Sequence, residues 1–297
     1  MKPRAKQNKK NDIVRIGLVQ MRMDADKETN LARAAKFIRQ AAAKKAQIIC
    51  LPEMFQTEYF CRTEDKRNFD LADTIPGSAT DFLSGLAAEL EVVIVAPLFE
   101  KRARGLYHNT LVVIDADGKL LGSYRKMHIP DDPNFYEKYY FAPGDLGFKT
   151  FQTRYAKIGT LICWDQWYPE AARLTALEGA EILFYPTAIG WHESEPAEAR
   201  KLQRQSWQTI QNSHAVANAV FVAAANRTGQ EKKLKFWGSS FVTGPDCSSI
   251  AQGSVDREEV LIADCDLGRI EKQRREWPFL RDRRIDAYAN ITRRYGK

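Results

Sequence analysis

Short apolar runs alternate along this chain with amphipathic stretches, and in places strands follow one another with no helix between them. Residues 14–20 read as a buried strand. Over 28–45, Leu31, Ala34, Ala35, Ile38, Ala41 and Ala42 recur at three-and-four spacing, which predicts an amphipathic helix. Residues 47–51 form a second apolar strand, stopped by Pro52. A helix is predicted over 78–91, with Ser78 as its cap and Asp81 in its first turn, and a strand over 92–98. The runs 106–115 and 119–129 flank Asp117-Gly118, a hairpin signal. A polar-aromatic loop fills 130–147. Beyond it come a strand (156–162), a helix (169–179) with Pro169 in its first turn and Gly179 at its end, a strand (181–185), a long helix (196–216) and strands at 220–225, 237–243 and 259–264. From Arg269 onward the chain reads as basic and irregular after one helical turn. Purely parallel doubly wound sheets seldom contain so many adjacent strands. The pattern implies a layered α/β fold with mixed sheets. No Pro-, Ser- or Gly-rich linker divides the chain, so residues 13–290 read as one domain that includes a C-terminal extension.

Composition excludes several classes. Hydrophobic residues make up 44% and charged residues 28%, as in ordinary globular chains, so general disorder is out. No apolar run approaches the ~20 residues of a membrane span. The net charge of +7 is concentrated at one end: residues 1–10 hold five basic groups and no acid, and without them the balance falls to +2. Residues 1–12 therefore read as a disordered basic leader, and nucleic acid is not an expected partner. No apolar segment follows that leader as in a secretory signal. The five cysteines, Cys50, Cys61, Cys163, Cys247 and Cys265, are odd in number, widely spaced and lack a CxxC pair. They suit a reducing cytosol rather than a disulfide framework or a zinc site. Asn226-Arg227-Thr228 matches a glycosylation sequon, a chance match in such a compartment.

Three segments place a polar group directly after an apolar strand, where sites gather in open α/β sheets. In Leu51-Pro52-Glu53, a carboxylate so placed is partly desolvated and suited to take up a proton near neutral pH. In Tyr124-Arg125-Lys126, a lysine at a strand end makes a compact partner for an oxyanion. In Ile162-Cys163-Trp164-Asp165-Gln166, a cysteine ends a strand just before a helix; the free backbone N–H groups of the turn suit an oxyanion, and a thiol near positive partners loses its proton more readily. Each also has an ordinary structural reading: a helix-capping carboxylate, a solvated basic pair, a buried structural thiol.

Taken together, Glu53, Lys126 and Cys163 resemble the nitrilase superfamily of carbon-nitrogen hydrolases over about residues 13–290. The resemblance implies a four-layer αββα sandwich with two mixed sheets. It places a second glutamate of the site at Glu137, within Tyr136-Glu137-Lys138-Tyr139, where it orients Lys126. Within the superfamily, the segment Cys163 to Arg173 and the segments His128-Ile129-Pro130-Asp131-Asp132, Tyr185-Pro186-Thr187-Ala188-Ile189-Gly190 and Phe279-Leu280-Arg281-Asp282-Arg283-Arg284 are most similar to members that hydrolyse N-carbamoylputrescine. Cys247, after Pro245-Asp246, departs from the usual small turn residue.

The implied chemistry is attack by Cys163 with Glu53 as base, an oxyanion held by Lys126 and the Trp164 backbone N–H, and a carbamoyl-thioester intermediate. No metal or organic cofactor is expected, because a thiolate does the work of a metal-bound hydroxide. The substrate's far end is a primary ammonium, which carboxylates and aromatic faces suit. Asp132, Glu193 and Glu195 are the candidate anions, and Trp164, Trp191 and Tyr136 the candidate walls. Relatives acting on carbamoyl amino acids need an Arg soon after the cysteine, whereas no cation occurs in this chain between Cys163 and Arg173. Alternatives are hydrolysis of N-carbamoyl-β-alanine or another carbamoyl amino acid, an ω-amide or a nitrile, or a catalytically silent binding protein of the same fold. The resemblance further implies a cytoplasmic homo-oligomer, a dimer or larger, with no membrane partner. Arg274, Arg275, Arg281, Arg283 and Arg284 are candidates for that interface.

Overall fold

The computed structural model describes residues 12–296. All of the predicted basic leader except Asp12 lies outside the described residues. Two six-stranded sheets form the centre. The first runs in the order Glu259–Asp266, Ile13–Gln20, Ile48–Cys50, Val93–Ala103, Leu106–Ile114, Leu120–Arg125. Its three inner strands are parallel and the outer pairings antiparallel. The second runs Ser249–Gln252, Phe241–Thr243, Phe221–Asn226, Ile182–Thr187, Lys157–Thr160, Thr150–Gln152, again parallel at its middle and antiparallel outside.

The strands' apolar continuity follows from burial on both faces. Ile16, Leu18, Ile48, Cys50, Val93 and Val95 belong to the core between the sheets. Their alternates Val19, Ile49 and Ile94 pack in a second cluster with Ala34, Ile38 and Ala41 of helix Lys27–Ala43 and Leu83 of helix Ser78–Leu90. The first helix starts where Asp26 accepts a hydrogen bond from the Thr29 N–H at 2.7 Å. Its small residues let it lie close to the sheet: a Cβ on Gly17 would stand 3.1 Å from that of Ala41. Ala171, Ala172 and Ala176 of helix Pro169–Leu177 and Trp207 and Ala215 of helix Ala197–Asn218 cover the other sheet. The order helix, sheet, sheet, helix is the expected αββα sandwich. Among the described residues no helix is long and apolar enough to cross a membrane.

Several expectations differ in detail. Gly77, not Ser78, caps the second helix, its N–H donating to the Thr80 hydroxyl at 2.8 Å. The single strand predicted over 237–243 is two. Gly238 and Ser239 both adopt positive φ, of 48° and 54°, and turn the chain between sheets. Leu234–Trp237 pairs instead with Thr228–Glu231 and Gly190–His192 in a small third sheet. The loop 130–147 contains a one-turn helix, Glu137–Tyr140, and the C-terminal turn extends to a nine-residue helix, Gly268–Glu276.

Candidate active site

Glu53 lies three residues beyond strand Ile48–Cys50, and Lys126 directly follows strand Leu120–Arg125, both of the first sheet. Cys163 lies three residues beyond strand Lys157–Thr160 of the second. The seam between the sheets brings them together. Glu53 and Lys126 are fully buried, with Nζ of Lys126 2.8 Å from Oε1 of Glu53 and 2.6 Å from Oε2 of Glu137. Asn109 Nδ2 donates to the same Glu53 oxygen at 2.8 Å, and the Tyr59 hydroxyl donates to Oε1 of Glu137 at 2.7 Å. Among the described residues Oε2 of Glu53 is buried with no hydrogen-bond partner, which leaves one carboxylate oxygen able to take a proton.

Two carboxylates thus share one ammonium. Burial alone would lower the Lys126 ammonium, but Glu137 and Glu53 outweigh it and hold it well above the ordinary lysine range. Burial first, and then the Glu53 charge, pushes the Glu137 carboxyl up against the pull of Lys126. The Cys163 thiol is also pushed up, by burial and next by Glu53, with Lys126 only partly offsetting them. This corrects the expectation that positive neighbours would favour a resting thiolate. Burial and the two neighbouring carboxylates oppose ionisation of the sulfur more than the single ammonium favours it.

Cys163 has φ 42°, a left-handed conformation uncommon outside glycine. It opens a tight turn, Cys163–Trp167, before Pro169 starts the next helix. The buried Asp165 holds that turn. Its carboxylate accepts from Ile162 N at 2.9 Å, the Tyr124 hydroxyl at 2.7 Å and His128 N at 3.0 Å, and lies 2.7 Å from His128 Nδ1. Asp165 therefore ties the nucleophile's turn to the first sheet.

Cys163 opens on a cavity of about 480 Å³, within the ordinary range for small-molecule sites. Glu137, Trp164, Asp132 and Glu195, all candidates from the sequence, line it. Glu195 is half-buried. Its Oε1 accepts from His192 N at 2.9 Å, and its other oxygen accepts from Gln203 Nε2. Three of the expected substrate-binding residues are not among the lining, and neither are the fully buried Glu53 and Lys126. Trp191 turns away, its indole N–H donating to Arg200 O at 3.0 Å, and Trp237, packed on it with ring centroids 5.0 Å apart, lines the cavity instead. Tyr136 serves through its backbone, whose N–H donates to Cys61 O at 2.8 Å, while Phe135 lines the wall. Glu193 is exposed, 3.6 Å from Lys233.

The sequence reading missed Asn109, Tyr59 and Gln166. Asn109 had a signal: His108-Asn109-Thr110 is a buried polar triplet at the start of an apolar strand. Gln166 is buried at the cavity wall. Its Oε1 accepts from Trp207 Nε1 at 2.8 Å and from the Thr187 hydroxyl at 3.0 Å. Because an indole nitrogen only donates, the amide orientation is fixed, and Nε2 is left without a partner among the described residues.

Residues 15–275 match the carbon-nitrogen hydrolase family. The chain is 46% identical over 288 residues to a protein of Solanum lycopersicum named N-carbamoylputrescine amidase, covering 94% of this chain and 95% of that one. It is 42% identical to a citrullinase of Francisella tularensis, covering 95% and 99%. The crystal structure of a carbon-nitrogen hydrolase from Helicobacter pylori G27 superimposes with a TM-score of 0.93 at 46% identity, over 96% of this chain and 100% of that one. The chain belongs to the carbon-nitrogen hydrolase family of the nitrilase superfamily and hydrolyses amide carbon–nitrogen bonds.

Proposed function

We propose that the protein hydrolyses N-carbamoylputrescine to putrescine, carbon dioxide and ammonia, a step of polyamine formation. The observation that carries this reading is one cavity lined by the Cys163 thiol and by Glu137, which the fully buried Lys126 bridges to Glu53, and lined elsewhere by the acidic and aromatic side chains of Asp132, Glu195, Trp164 and Trp237. A ureido carbonyl is a poor electrophile, because two nitrogens donate into it. Sγ of Cys163 attacks it while Glu53 takes the thiol proton. The developing oxyanion is held by Lys126 Nζ and the Trp164 backbone N–H, the former kept cationic and oriented by Glu137. Glu53 returns the proton to the terminal nitrogen, the carbon–nitrogen bond breaks and ammonia leaves. The remaining carbamoyl thioester is attacked by water that Glu53 deprotonates. The thiol is released, and the freed carbamate falls apart into putrescine and carbon dioxide. Glu195 and Asp132 receive the substrate's ammonium, with Trp164 as a wall.

Residues 13–290 act as one catalytic unit on this reading. The protein works in the cytosol as a homo-oligomer, in keeping with its five free cysteines. Exposed apolar side chains along the C-terminal region and its neighbouring helix, including Leu174, Leu177, Trp277, Phe279 and Ile285, support a second copy of the chain as the partner. Most of the arginines proposed for that surface pair within their own segment: Arg275 with Glu271, Arg281 with Asp282 and Arg284 with Asp286.

A second reading has its own support. Gln166 Nε2, Trp167 Nε1 and Trp237 Nε1, N–H donors without a partner among the described residues, belong to residues lining the cavity and suit an acceptor such as a carboxylate. A ureido substrate bearing both ammonium and carboxylate, as citrulline does, would use them. Ammonia release from N-carbamoylputrescine, citrulline and N-carbamoyl-β-alanine separates the readings. The first reading expects N-carbamoylputrescine to be turned over fastest.

A further inference from the structure

Glu53 hangs from one sheet and Cys163 from the other, so proton transfer between them depends on how well the two sheets are held in register. A misplacement of about 1 Å can cost ~10²-fold in rate. Arg227 crosses this seam. It directly follows strand Phe221–Asn226 of the second sheet and is fully buried. Its Nη2 donates to three carbonyls of the loop that carries the carboxylate: Glu53 O at 3.1 Å, Met54 O at 2.8 Å and Thr57 O at 3.0 Å. Its Nη1 donates to Glu231 Oε1 at 2.9 Å, and the guanidinium lies 5.1 Å from the centre of the Phe236 ring.

Glu231 extends the tie. Its Oε2 accepts from Tyr59 N at 2.6 Å and lies 3.8 Å from Arg62. The Tyr59 hydroxyl reaches Glu137, Glu137 reaches Lys126, and Lys126 reaches the Glu53 carboxylate. The chain of bonds closes on Glu53 from its backbone and from its side chain. The loop also holds Met54 at φ 47°, a strained conformation for a non-glycine residue that needs outside support. A buried ion pair is a weak source of net stability, because desolvation offsets the attraction. The planar fork of an arginine, by contrast, fixes geometry in a way a lysine cannot.

We propose that Arg227, backed by Glu231 and Tyr59, is a positioning residue that sets the Glu53 carboxylate against the Cys163 thiol from the sheet that carries the thiol. This rests on the reading of Glu53 as the base. The Asn226-Arg227-Thr228 triplet, legible only as a chance sequon, then has a structural purpose. Asn226 is fully buried and bonds both the N–H and the C=O of Ile189 in the cavity wall, at 3.1 and 3.0 Å.

The test uses the full chain and whichever carbamoyl substrate the parent turns over fastest, so a wrong choice of substrate does not count against the frame. Arg227→Lys, Tyr59→Phe and Glu53→Gln are compared with the parent for kcat, KM and thermal unfolding. Arg227→Lys is expected to lower kcat about 10²-fold, with KM nearly unchanged. Tyr59→Phe is expected to lower kcat about tenfold, for loss of one hydrogen bond to a charged group. A folded Arg227→Lys enzyme with parental kcat, beside an inactive Glu53→Gln, overturns the frame alone. A fully active Glu53→Gln removes the base reading and the frame with it. Should Arg227→Lys fail to fold, Tyr59→Phe decides by the same criterion, and parental kcat in that variant overturns the proposal.

Discussion

The floor and the far wall of the cavity are built by opposite rules. On the floor, Glu53, Lys126 and Glu137 are almost wholly buried, the first two just beyond strand ends and the third on a one-turn helix, and Lys126 bonds both carboxylates. On the far wall, Asp132 and Gln203 are exposed, Glu195 is half-buried, and all three sit on loops or on the outer face of a helix. Loss of Lys126 would leave two buried carboxylates without a counter-charge, which is costly. The wall can exchange a side chain at little cost to the fold. Chemistry fixed on rigid elements and specificity carried by surrounding loops is the general division of labour in enzymes.

Removing the thiol tests the floor most severely. Cys163→Ala should reduce ammonia release by at least about 10⁴-fold, as loss of a nucleophile does elsewhere, and an assay of purified protein retaining a tenth of the activity would refute the nucleophile. Lys126→Met should cost at least ~10²-fold in kcat, the usual worth of an oxyanion donor. A KM effect without a kcat effect would instead place Lys126 in ground-state binding. Because burial and Glu53 raise the Cys163 thiol, its alkylation by iodoacetamide should keep accelerating from about pH 6 to pH 9, roughly tenfold per unit as the thiolate fraction grows. Mass-spectrometric rates that level off below neutrality would mean a thiolate already formed. On the wall, Glu195→Gln should raise KM for N-carbamoylputrescine about tenfold and leave kcat alone, the scale of one hydrogen bond to a charged group. Glu193→Gln should change neither parameter by more than about twofold, as for a solvent-exposed ion pair. If the two glutamates behave alike in steady-state kinetics, the distinction between wall and surface fails.

The same contrast governs what the sequence revealed. Glu53, Lys126 and Cys163 are legible because a polar side chain at the end of an apolar strand is a local anomaly. Glu137 is not legible in that way and came only through resemblance. Its loop is placed by a close approach between chain segments: a Cβ on Gly144 would stand 2.1 Å from Arg125 O, and Gly144 N donates to Lys126 O at 2.8 Å. Tyr59 and Arg227 act across the seam, and no spacing in one dimension records which sheet a loop will face. The errors on the wall have similar causes. Trp191 and Trp237 occupy two strands of the small sheet, and which indole faces the cavity depends on how that sheet packs. Glu193 and Glu195 differ because the Glu195 N–H bonds back to His192 O at 3.1 Å, a turn that leaves one carboxylate at the cavity and the other beside Lys233.

On the proposed function, the thiol, lysine and carboxylates cleave a ureido bond on a substrate whose tail is a cation. Steady-state ammonia release from N-carbamoylputrescine and from N-carbamoyl-β-alanine, for the parent and for Cys163→Ala, tests it most directly. A clear preference in kcat/KM for the amine over the acid is expected, with all turnover lost in the variant. Faster turnover of the acid, or ammonia release that survives without the Cys163 sulfur, would contradict it.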